Sequence, residues 1–130
     1  MSGISNYYED KILDHMLRAQ AFSPPATIYA SLHTGDPGEN GTSNTVSIGR
    51  QAISFGASSS GVITSTGNVD FTNMPAVGGV GVTHIALWDA AGSGNPPTGG
   101  NCLWKGALSL AVTVLSGETL RLTAVTVTLT

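Results

Sequence analysis

The stretch of this sequence best equipped for chemistry is "YASLHTGDPGENGT", residues 29–42, where a histidine ends an alternating run and a glycine-rich acidic loop follows. Calcium needs several closely spaced oxygen ligands, with a later bidentate glutamate. Asp36, Glu39 and Asn40 supply oxygens, but Pro37 interrupts the pattern and no glutamate stands at the closing position. Asp-Pro-Gly is also a turn sequence: aspartate bonds to its own turn, proline presets φ, and glycine accepts φ > 0. The spacing from His33 to Glu39 predicts a turn with a structural job.

Other chemistries are served no better. His15, His33 and His84 fall on a predicted helix and two separate strands, and Cys102 stands alone, so no short-spaced zinc pair exists. Ser31, His33 and Asp36 are near in sequence, but there is no G-x-S-x-G nucleophile elbow. Eight acids are scattered, without a pair placed for glycoside cleavage. "GGVGVTH" leads into a strand instead of a helix and so carries no phosphate-loop signal. The expectation is a protein that is not an enzyme and uses no metal or cofactor. Trp88 and Trp104, with Tyr29, could form an aromatic platform for a sugar; buried core or rim positions are the other reading.

Composition narrows the partners. Charged residues make up 10% of the 130, well below the usual share of about 25%. The hydrophobic share of 41% is enough for a core, so the surface must be largely neutral. Such a surface fits a protein packed against copies of itself or against a partner. A net charge of −3 with five unclustered basic residues argues against nucleic acid. No run approaches the roughly 20 apolar residues of a membrane span, and the acidic start of the chain lacks a signal-peptide pattern.

The elements that position these residues follow from periodicity. Tyr8, Ile12, Leu13, Met16 and Leu17 form one apolar stripe, predicting a helix capped by Ser5 or Asn6 and stopped at Ser23-Pro24-Pro25. Packing on the body of the domain is the simpler reading of that stripe; reaching a neighbouring subunit is the alternative. Everything afterwards reads as strands. Ile28, Ala30 and Leu32 oppose Tyr29, Ser31 and His33, and Ile85 and Leu87 oppose His84 and Trp88. The last stretch slips phase between Leu122 and Val127, which predicts a bulge or tight turn at Ala124-Val125. Seven or eight short strands after one helix predict a mainly β single domain over residues 1–130. Residues 1–22 form an arm and helix, and 26–130 an antiparallel β-sandwich of jelly-roll or immunoglobulin-like type.

The order of segments adds a resemblance. "SNYYEDKILDHML", "PATIYASLHTGDPGENGT", "RQAISFGA", "GNVDFTNMP", "VTHIALWDA", "LWKGAL" and "VLSGETLRLTAVTVTLT" run nearly end to end. In that order they resemble a family of small tailed-bacteriophage structural proteins, often labelled tail-fibre-like. Val125 departs from the family pattern, where glycine is expected. The resemblance implies a virion component, assembled in the host cytoplasm, without enzymatic activity.

Two placements follow from that resemblance. The favoured one is a capsid decoration (cement) protein, commonly trimeric, clamping major capsid subunits. The alternative is a tail-tip or tail-fibre subunit whose Ala90–Asn101 loop, flanked by Trp88 and Trp104, touches a host glycan. Contacts with neighbours are expected from the arm Met1–Tyr8, including Ile4, Tyr7 and Tyr8. The loop Gly35–Thr45, beginning beside His33 and carrying Asp36 and Glu39, is expected to contact them too.

Overall fold

The computed structural model describes residues 3–129. One helix, α1 (Asn6–Arg18), follows a two-residue strand, β1 (Gly3–Ile4). The remaining strands are β2 (Ile28–His33), β3 (Gln51–Phe55), β4 (Val62–Thr66), β5 (Val69–Phe71), β6 (Val82–Trp88), β7 (Cys102–Val112), β8 (Leu120–Leu122) and β9 (Thr126–Thr128). Seven strands form a curled sheet in the order β1-β7-β6-β2-β3-β4-β9, and β5 pairs with β8 as a second, two-stranded sheet. Every named strand pair is antiparallel. The protein is mainly β with an N-terminal helix, as its alternation predicts.

The core lies between the two sheets. Ala30, Leu32, Ile53, Ile85 and Leu87 from the large sheet join Val69, Phe71, Leu120 and Leu122 from the small one in a single buried cluster. Each of these side chains larger than alanine contributes about 1.5–3 kcal/mol on burial, so this cluster is the main source of stability. The opposite face of β2 and β6 holds a smaller buried group of Ala86, Trp88 and Cys102, with Tyr29 packed on it. Alternation along β2 and β6 thus feeds two different environments, an apolar core and a polar back.

Two departures from the sequence reading have clear causes. The arm before the helix is itself a strand: Ile4 pairs with Trp104 and Gly3 with Lys105, on the edge of β7. Two residues carry no readable periodicity, so only pairing reveals them. The phase slip at Ala124-Val125 is neither a bulge nor a turn within one strand. There the chain leaves the small sheet at Leu122 and joins the edge of the large one at Thr126. Ser65 holds the crossing: its N–H donates to the Val125 carbonyl (2.8 Å), and its hydroxyl accepts from the Val125 N–H (2.7 Å).

Helix α1 is fixed mainly at its start. Ser5 is the N-cap, accepting from Tyr8 N–H at 3.3 Å, and its own hydroxyl donates to the Cys102 carbonyl. Ala19 ends the helix in the left-handed region at φ 54°. No side chain of the helix is fully buried. Tyr8 packs edge-on against Phe22 with ring centroids 5.7 Å apart, whereas Leu13, Met16 and Leu17 are exposed.

Candidate functional site

The "HTGDPGENG" segment is a tie. Asp36 accepts from Gly38 N–H at 2.9 Å, closing its own turn, and Asn44 Nδ2–H donates to the Asp36 carbonyl at 3.0 Å. Lys105 on β7 reaches across to the same carboxylate at 3.0 Å and lies 3.7 Å from Glu39. These donors hold the Asp36 carboxyl down at about 2: first the Gly38 backbone bond, then the Lys105 bond. Glu39 also accepts from the Asn6 N–H at 3.1 Å, the kind of carboxylate a helix start favours. One loop therefore fastens the helix start and the β7 edge together.

Beneath the loop runs a buried polar chain. Trp88 Nε1–H donates to Ser31 Oγ at 2.8 Å, and Ser31 Oγ lies 2.7 Å from His33 Nε2. His33 Nδ1 stands 2.8 Å from the Ser43 carbonyl. A carbonyl can only accept, so Nδ1 carries the proton and Nε2 accepts from the serine hydroxyl. Burial favours the neutral imidazole, in which both ring nitrogens are bonded. Burial pushes its pKa down, opposed by the Ser43 bond and aided by His84 and Arg50. His84 sits directly across from His33 in the register of β2 and β6, although the two lie far apart in sequence.

Arg50, just before β3, completes the site. Its guanidinium stacks on the Trp88 ring and donates from Nη1 to the carbonyls of Ala90 and Gly99, both at 2.9 Å. Gly41 makes room for the ring: it adopts φ +70°, and a Cβ there would stand 2.6 Å from Trp88 Cζ2. Above Arg50 opens a cleft of about 330 Å³ between the Glu39–Thr45 loop, the Pro96–Cys102 segment and the helix start. A separate apolar groove of about 380 Å³ runs where Ile4, Tyr8 and Ile12 meet Trp104 and Phe55.

The sequence-selected residues divide accordingly. Tyr7 and Glu39 border the Arg50 cleft, while Ile4, Tyr8 and Trp104 line the apolar groove. Asp36 is exposed and occupied by Lys105. His33 and Trp88 are buried, and Trp88 forms part of the lining of the Arg50 cleft. Trp104 pairs with Leu87 and Trp88 with Cys102 across β6 and β7, which sends the two rings to opposite faces of the sheet. The shared tryptophan platform does not form. Met1 and Ser2 of the expected contact arm lie outside the described residues. Arg50 was missed; its one signal was an arginine standing just before the apolar strand that contains Ile53 and Phe55.

Among the described residues, no three His, Cys, Asp or Glu side chains gather as a metal site. Cys102 is buried, and burial raises its thiol to about 11, well away from a reactive thiolate. The family described as "Podophage GP4 fiber I protein gp80" matches residues 3–130. The chain belongs to this family. It is a bacteriophage virion structural protein, in line with the resemblance in its segment order. No curated protein matches it. Among the described residues, no helix is long and apolar enough to cross a membrane.

Proposed function

We propose that the chain is a non-enzymatic subunit of a podophage tail fibre, seated against other virion proteins. The family match over residues 3–130, to a description that names a fibre protein, carries this reading. The low charge of 10% suits the capsid surface and the tail alike. The family description supports the tail ahead of the cement role favoured under the resemblance.

The fold agrees with a packing module. Leu13, Met16 and Leu17 are 54%, 70% and 76% exposed on a helix whose first turn is locked in place. Under this reading that ridge faces a neighbouring virion subunit, which supplies the burial the domain itself does not give. Association of three copies belongs to the same proposal, and light scattering on the purified chain reads it.

Gold-labelled antibody against the chain, applied to intact virions, tests the placement. Label at the tail supports the proposal. Label spread over the head would return the decoration reading.

A further inference from the structure

The cleft above Arg50 carries its own chemistry. Arg50 is 7% exposed, and a cation at that depth ordinarily has a carboxylate partner, because desolvating a charge is costly. Among the described residues it has no ion pair with a carboxylate. Both of its hydrogen bonds leave from Nη1, and the buried Nε has no acceptor. One edge of the fork, Nε with Nη2, is therefore without a protein acceptor. That edge has the spacing a carboxylate accepts in bidentate fashion.

The two acids nearby are already engaged. Glu39 accepts from the helix N–H of Asn6 and faces Lys105; Asp89 accepts from the backbone and side chain of Asn101. The walls above the guanidinium carry short amides and hydroxyls, Asn40, Thr42, Thr98 and Asn101, with the Tyr7 ring at the rim. A volume of about 330 Å³ suits a small ligand. Closely spaced donors and acceptors around one buried cation match adjacent ring hydroxyls beside an acid.

We propose that this cleft binds an acidic saccharide, its carboxylate on the unpartnered edge of Arg50 and its hydroxyls on Asn40, Thr42, Thr98 and Asn101. Nε is closed to solvent, so seating the acid takes a shift of the segment 90–101. Gly92, Gly94, Gly99 and Gly100 all hold positive φ there, and Gly92 lies directly against Arg50. The inference extends the fibre reading by naming what the subunit contacts, and it is tested on the purified chain without reference to tail placement.

Titration of the isotopically labelled full chain with galacturonate, galactose and an aspartate-containing peptide, followed by amide NMR shifts, is the measurement. Shifts are expected at Asn40, Gly41, Gly99 and Asn101, with galacturonate bound at least about tenfold more tightly than galactose. Asn40→Ala should weaken galacturonate several-fold at unchanged thermal stability, and Arg50→Lys should remove the preference for the acid. Equal binding of the two sugars, shifts elsewhere, or no shifts would overturn the proposal. So would binding of the peptide in place of the sugars. Tail labelling of virions together with a silent titration would sink this inference alone.

Discussion

The guanidinium carbon of Arg50 lies 3.6 Å from the centroid of the Trp88 ring, with both residues buried. Arg50 precedes β3 and Trp88 ends β6, so the stack clamps two strands that are separated by β2. A planar cation covers the ring face while its fork reaches two carbonyls; an ammonium cannot do both. Arg50→Lys should therefore cost about 1–3 kcal/mol of stability. Urea unfolding at neutral pH reads this, and a loss below about 0.5 kcal/mol would mean that the stack is incidental.

The neutral His33 sets a pH dependence. Its folded pKa is held below the ordinary 6.5, so the unfolded chain takes up the proton first. Stability from this group is complete above 6.5 and is lost as pH falls through that value toward the lower folded one. Of the groups facing it, Arg50 and His84 across the strand pair both disfavour the charged imidazole, and only the Ser43 carbonyl favours it. Urea midpoints should fall between about pH 7.5 and about pH 5, and His33→Gln should flatten that fall. A slope equally steep in the variant would assign the effect elsewhere.

How much of this was legible in the sequence depends on range. Alternation along β2 and β6 placed Leu32 and Ile85 in one environment and His33 and His84 in the other, because strand period is a local property. The turn at Asp36-Pro37-Gly38 was readable for the same reason. What the turn is tied to was not: Lys105 lies 69 residues away and Asn6 lies 30 residues before Asp36. Whether the tryptophans share a platform or sit at core and rim positions was left open, because their facing depends on strand register. A shift between Leu87 and Trp88 sets that register, and no local pattern records it. The partnering of β5 with β8, and with it the sheet switch at Val125, was hidden likewise.

Asp36 makes an acid-range prediction distinct from that of His33. Its folded pKa near 2 lies below the ordinary 3.8, so its contribution is present above 3.8 and disappears as pH falls toward 2. Asp36→Asn should be less stable than the parent at neutral pH, by losing the Lys105 pair and weakening the turn. The gap between the two proteins should close as pH falls through that window. Circular-dichroism acid titrations of both proteins measure it. A gap that stays constant from neutral pH downward would mean that the carboxylate charge does not hold the loop.

The exposed end of α1 separates folding from assembly. Met16 and Leu17 project from the exposed end of a helix fixed mainly at its start, and substitutions at such positions usually stay within about 0.5 kcal/mol. The double variant Met16→Glu, Leu17→Glu should therefore unfold at nearly the parent midpoint. If a virion neighbour covers the ridge, each side chain contributes about 1.5–3 kcal/mol there, and charging both should cut incorporation more than tenfold. Phage grown with only the variant gene, its purified particles quantified by mass spectrometry, gives the copy number directly. Incorporation at the parent level would remove the ridge as the seat and turn attention to the apolar groove at Ile4, Tyr8 and Trp104. A variant that no longer folds would instead place Met16 and Leu17 among the residues the domain needs for itself, against their exposure.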